Sequence, residues 1–160
     1  MRAFVSMSIR AFIILAVSSG IGMGLNLASS KPLPWVYQPP KELTLEGTTV
    51  ALIDEKEARK RFDDPDTLFV DTRTREEYSE GHVKRALFLP AYEKEEQFLT
   101  VEPLLTEDSL LILYCHGPEC EMAEQVAGFL VQLGYKKLAI MSAGYEAWRR
   151  AGYPVEEPRG

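Results

Sequence analysis

Along the chain, apolar residues come first as one block and then as short runs set between polar stretches with helical spacing. Residues 11–17 read Ala-Phe-Ile-Ile-Leu-Ala-Val, small and apolar residues continue to Ala28, and no charge falls between Arg10 and Lys31. From residue 48 the pattern changes. Thr48-Thr-Val-Ala-Leu-Ile53 predicts a strand, and Asp54 with Glu57 predicts the capped start of a helix to about Phe62. Asp63-Asp-Pro-Asp66 breaks the chain, residues 67–71 predict a strand, and Thr74 with Glu77 marks a further short helix. Ala86-Leu-Phe-Leu89 before Pro90 predicts a third strand. Residues 91–99 predict a helix whose apolar side carries Tyr92 and Leu99, with Glu96 between them.

Leu110-Leu-Ile-Leu-Tyr114 is an unbroken apolar run, as a central parallel strand covered on both faces requires. Met122, Ala123, Val126, Ala127, Leu130, Val131 and Leu133 then recur at three- and four-residue spacing, with Gly134 as a left-handed stop. Residues 137–141 predict another strand and 145–151 a helix closed by Gly152. Strands alternating with helices predict an open α/β sheet, with function in the loops that leave the carboxyl ends of the strands.

Composition narrows the class. The chain has 160 residues, 46% hydrophobic and 26% charged, with two Cys and two His. Removing an N-terminal segment leaves one domain able to hold a core without staples. Neither a disulfide framework nor a metal-ligand spacing is present, and no cofactor or metal is expected. Of 18 basic residues, Arg2 and Arg10 precede the body, so residues 31–160 carry 16 basic against 24 acidic side chains. Such a body is a poor partner for nucleic acid, which binds mainly through phosphate neutralisation.

Residues 1–30 read as an export signal or a membrane anchor. Upstream arginines, a seven-residue apolar core and the small residues ending in Ala28-Ser29-Ser30 fit a cleavable signal peptide. Left uncleaved, the uncharged run 11–28 would span about 27 Å and just reach membrane-spanning length. Gly20 and Gly24 could then form a helix-pairing face. Either way, the arginines favour a body facing the periplasm or exterior. Residues 31–47 form a proline-rich spacer in which Trp35 and Tyr37 face either a membrane interface or the domain, and residues 48–157 form the body.

The informative loop is Cys115-His-Gly-Pro-Glu-Cys120, between the central strand and the long helix. A side chain there is expected to face backbone N–H groups and a helix N-terminus, both favouring a thiolate on Cys115. The dipole contributes about 0.3–1 kcal/mol, up to about 2 when partly buried. Glu119 and Glu121 oppose that anion, and His116 is the one group in the loop able to carry positive charge.

Here the sequence resembles the rhodanese-like domains over about residues 48–157. The resemblance rests on Val70-Asp-Thr-Arg73, Glu77-Tyr78, Gly81-His-Val83, Ala86 before Pro90, Tyr114-Cys115, Ser142-Ala-Gly-Tyr-Glu-Ala-Trp148 and Gly152-Tyr-Pro-Val155. It implies an open, parallel five-stranded sheet flanked by helices on both faces, here following an N-terminal hydrophobic helix. It also implies a Cys115 that carries sulfane sulfur as a persulfide held by loop amides, between a small sulfur donor and a thiol acceptor. Relatives that use thiosulfate carry a basic residue in the loop and an arginine five positions after the cysteine, where this chain has Cys120. Related phosphatases need arginine six positions after it, where this chain has Glu121, which argues against phosphate-ester hydrolysis. Ala143 stands where glycine is usual.

Three functions stay open at this point. Cys115 carries sulfur as a sulfurtransferase, with Cys120 either a resolving thiol or a small packing residue. Alternatively Cys115 and Cys120 form a thiol–disulfide oxidoreductase pair. The third is a binding module that docks on a membrane protein. His116, Gly117, Pro118, Glu119 and Glu121 surround the sulfur. Asp71 and Arg73 are read as support, Asp71 bonding loop amides, and His82 as a hydrogen-bonded structural histidine. Trp148 is read as core.

Overall fold

The computed structural model describes residues 2–30, 41–106, 108–118 and 120–157, with side chains from residue 12 onward. The chain divides into two units, 1–39 and 40–160. The first contains α1 (Arg2–Ala28), along which large apolar side chains such as Phe12, Ile14, Leu15 and Leu25 are exposed. Among the described residues no helix is long and apolar enough to cross a membrane, so the anchor expectation finds no support there. Polar Ser18, Ser19 and Asn26, with Gly20, Gly22 and Gly24, dilute the apolar run. Residues 31–40, with Trp35 and Tyr37, lie outside the described residues.

In the second unit the sheet begins earlier than position 48. β1 (Glu42–Leu45) and β2 (Thr48–Ile53) form an antiparallel hairpin across Glu46 and Gly47, which both have positive φ (46° and 80°). That geometry is the two-residue turn whose twist matches its flanking strands. Next come α2 (Glu55–Arg61), β3 (Thr67–Asp71), α3 (Arg75–Glu80), β4 (His82–Val83) and β5 (Leu87–Phe88). A single 3-10 turn at Ala91–Glu93 leads into α4 (Lys94–Val101). The chain ends with β6 (Leu110–Tyr114), α5 (Met122–Gln132), β7 (Leu138–Met141), α6 (Gly144–Arg150) and β8 (Val155–Glu156).

The main sheet has the order β1-β2-β7-β6-β3-β5. Five strands run parallel, as expected, and β1 adds an antiparallel edge. The caps read from the sequence are present: Asp54 accepts from the Glu57 N–H at 2.8 Å, and Thr74 with Glu77 forms a complete capping box. A separate small pairing joins β4 to β8, so Gly81-His-Val83 meets the Gly152-Tyr-Pro-Val155 segment.

Strand alternation sorts side chains onto two faces. Leu111, Leu113, Val70 and Ile140 pack with Val126 and Leu130 of α5, while Ile112, Tyr114, Phe69 and Met141 pack with Phe62, Tyr145 and Trp148. Trp148 is fully buried, as expected of core. The face predicted for residues 91–99 is corrected: Tyr92 and Leu99 are 78% and 71% exposed, and Phe98 and Val101 are the buried pair. Tyr92 and Leu99, seven positions apart, do share one side, but that side faces solvent, and the neighbouring side with Ala91, Phe98 and Val101 packs on the core.

Candidate active site

Cys115 follows directly on β6, at the carboxyl end of the strand with parallel neighbours on both sides, and is 3% exposed. Its sulfur is bonded to that of Cys120, with the two Cα atoms 6.4 Å apart, inside the range a disulfide spans. In this oxidised state, the carbonyl oxygens of Cys120 (3.4 Å) and Gly117 (3.6 Å) lie against the Cys115 sulfur. The Cys120 N–H donates to the Gly117 carbonyl at 3.3 Å and tightens the loop. His116 and Pro118 are exposed, Glu121 is exposed at the start of α5, and Glu119 lies outside the described residues.

The loop is fastened from below by the start of α6. The Tyr145 N–H donates to the Cys115 carbonyl at 2.7 Å and the Glu146 N–H to the His116 carbonyl at 3.3 Å. Gly144, with φ of 70°, makes this approach possible by having no Cβ. Ala143, where glycine is usual, is only partly buried and has an ordinary helical φ of −69°, so its methyl group introduces no backbone strain.

Beneath the site lies a buried polar network. Asp71 is fully buried and accepts from the Arg73 N–H at 3.0 Å and from the Arg73 guanidinium at 2.6 Å. Arg73 also donates to the Gly81 carbonyl at 2.7 Å and lies 4.1 Å from the centre of the Tyr145 ring. Burial acts to lower the guanidinium pKa, but the hydrogen bond and charge of Asp71 outweigh it, and the net shift is upward. The Tyr114 hydroxyl accepts from the Val83 N–H at 3.0 Å. Burial, with the Asp71 charge, pushes the Tyr114 phenol well above its ordinary value.

Arg73, Gly81, His116, Tyr145 and Arg149 help to line a cleft of about 190 Å³ beside the loop. His82 belongs to another cluster: its ring stacks on Tyr78 at 3.8 Å, Nδ1 pairs with the Tyr78 carbonyl, and Nε2 meets Glu156. The side-chain ligand atoms of Cys115, His116 and Cys120, in contrast, all lie within 4.8 Å of one another. Sequence reasoning missed Gly144 and Tyr145 as loop supports. Their signal was position, at the carboxyl end of β7, the strand next to β6.

The profile of the rhodanese-like domain matches residues 54–151. The chain belongs to the rhodanese-like domain family. A Bacillus halodurans protein of known crystal structure is similar at a TM-score of 0.59 and 28% identity, covering 66% of this chain and 76% of that one. The rhodanese-like domain of an Anabaena protein, at 22% identity and a TM-score of 0.56, covers 67% of this chain and 79% of that one and supports the fold alone. Among curated proteins, an HTH-type transcriptional regulator of Mycobacterium tuberculosis is 30% identical over 111 residues, 69% of this chain and 47% of that protein. A tRNA uridine(34) hydroxylase of Hamiltonella defensa is 35% identical over 105 residues, 64% of this chain and 29% of that protein. The chain therefore spans less than half the length of these two relatives. A rhodanese-like domain is consistent with sulfurtransferase-type chemistry.

Proposed function

We propose that this rhodanese-like domain accepts sulfane sulfur on Cys115 and that Cys120 resolves the persulfide. The observation that carries the reading is the bond between the Cys115 and Cys120 sulfurs, in the loop that opens α5. In the first step the Cys115 thiolate attacks the terminal sulfur of a persulfide or polysulfide donor. The donor's S–S bond breaks, its thiolate leaves, and Cys115 carries the extra sulfur. In the second step the Cys120 thiolate attacks Cys115 Sγ, the bond to the added sulfur breaks, and hydrosulfide leaves as the disulfide forms. A dithiol reductant returns both cysteines to thiols, giving up two electrons and two protons.

Thiosulfate is a poor donor in this reading. Positions 115–121 hold no Lys or Arg, and Arg73, which lines the neighbouring cleft, is committed to Asp71. We place the reaction outside the cytoplasm. The arginine-led apolar segment 11–17 supports export, and a disulfide persists in an oxidising compartment.

The test is intact mass spectrometry of the reduced full chain after exposure to polysulfide. Cys120→Ser is expected to gain 32 Da on Cys115, that is, one sulfur atom, while the native chain releases hydrosulfide and ends as the disulfide. No added sulfur on Cys120→Ser overturns the reading. The same disulfide favours a second reading, a dithiol–disulfide oxidoreductase, and disulfide exchange without hydrosulfide release would establish it. Inertness in both assays would leave the docking module.

A further inference from the structure

Reduction of the Cys115–Cys120 disulfide leaves two thiols at the ends of one short loop, with an imidazole beside them. We propose that in this reduced state Cys115, His116 and Cys120 form a binding site for Zn²⁺. Two thiolates and one histidine make a three-ligand set that leaves a fourth position open for water or another donor. The ligand atoms of the three residues lie within 4.8 Å of one another. A tetrahedral zinc ion with Zn–S of about 2.3 Å and Zn–N of about 2.0–2.1 Å spaces its ligand atoms about 3.6–3.8 Å apart, so small side-chain movements suffice.

The backbone that presents two of these ligands, Cys115 and His116, is held from outside the loop. The Cys115 and His116 carbonyls are held by the N–H groups of Tyr145 and Glu146, and Gly144 closes against the His116 peptide. The Cys120 N–H is tied to Gly117. Less backbone ordering at Cys115 and His116 then remains to oppose binding. Accessibility also fits: Cys115 is buried while His116 is exposed, so the ion would be held from below by sulfur and reached from the solvent side.

The proton and electron balance is complete. A dithiol supplies the two electrons and two protons that open the disulfide, and zinc binding releases one proton from each thiol. A disulfide-containing oxidant that takes two electrons from the two thiolates, itself becoming a dithiol, re-forms the Cys115–Cys120 bond and expels the ion. The site would therefore hold zinc only when reduced, and zinc would cover the sulfur that persulfide chemistry needs. The inference does not rest on sulfur transfer, because metal binding and sulfur loading are read separately.

The experiment uses the full chain, reduced and kept anaerobic, titrated with Co²⁺ as a spectroscopic probe and then with Zn²⁺. One Co²⁺ per chain is expected, with a thiolate-to-cobalt charge-transfer band and tetrahedral d–d bands, both abolished by Zn²⁺. The same chain with its disulfide intact is expected to show neither, and this comparison requires no substitution. His116→Ala, at an exposed position, is expected to keep the charge-transfer band and weaken binding by roughly tenfold or more. Zinc is expected to slow alkylation of Cys115 by iodoacetamide. Absence of the charge-transfer band in the reduced chain, equal binding by the oxidised chain, unchanged affinity in His116→Ala, or alkylation unaffected by zinc would each overturn the assignment.

Discussion

Gly144 closes on the peptide of His116: a Cβ added at Gly144 would stand 2.6 Å from the His116 carbonyl oxygen and 2.5 Å from the Gly117 nitrogen. Both neighbours are backbone, so neither can swing aside. Gly144→Ala must then lift the cysteine loop or unwind the first turn of α6, at a residue whose φ of 70° already disfavours a side chain. The expected loss is about 1–3 kcal/mol, read as a lower urea midpoint, together with faster alkylation of Cys115 in the reduced chain. An unchanged midpoint and alkylation rate would show that the loop is not fastened there.

The Asp71–Arg73 pair is buried on both sides, at 2.6 Å. Removing one partner leaves an uncompensated charge in the interior, so Asp71→Ala should lower stability by about 3–5 kcal/mol. Denaturant unfolding measures this directly, and a loss below about 1 kcal/mol would mean that solvent reaches Arg73.

Tyr114 predicts a loss of stability at alkaline pH. Burial holds its phenol protonated in the folded chain well above the ordinary value of about 10. The folded state thus binds the proton more tightly than the unfolded state. Its contribution is complete below about pH 10 and falls as pH rises above that value toward the folded pKa. A urea midpoint that drops steeply above about pH 10 in the native chain, and less steeply in Tyr114→Phe, is the expected result. The variant should also lose about 1–3 kcal/mol at neutral pH, because the buried Val83 N–H loses its acceptor.

The disulfide encloses a sequence separation of 5 residues, so chain entropy limits its stabilisation to about 2 kcal/mol. Reduction should therefore shift the unfolding midpoint modestly and leave the domain folded. A chain that unfolds on reduction would make this disulfide a structural staple rather than a working pair.

On α4, Leu99→Gln should change stability by no more than about 0.5 kcal/mol, whereas Phe98→Ala should cost about 3–5 kcal/mol. Parallel thermal melts of the two variants decide it.

That last pair marks a limit of legibility. Long elements were readable because their apolar spacing repeats: Leu110–Tyr114 and the 122–132 stretch lie where the pattern puts them. The caps at Asp54 and Thr74 were readable because the residues that close them sit three positions on. β1 was hidden because its turn is Glu46-Gly47 rather than Asn-Gly or Asp-Gly, and because Pro39-Pro40 extends the look of a spacer up to its edge. The β4–β8 pairing involves two residues from each side, too few to show a period. At the site, the importance of Cys115 followed from its place after the central strand. The grip of Gly144 and Tyr145 did not, because it joins loops that are distant in sequence and adjacent only once β6 and β7 pair.

The strand order also sets a timetable for folding during synthesis. β1 and β2 form a local hairpin, and β3, β5 and β6 pair among themselves, yet no strand pairing joins these two groups until β7 is made. Ala51 must wait for Ala139, and Leu111 for Leu138. β7 enters last between two strands already in place, so a ribosome that has not yet released residues 138–141 carries a sheet split down its middle. The cysteine loop lies at that seam, and its fastening by α6 is among the last contacts the nascent chain completes.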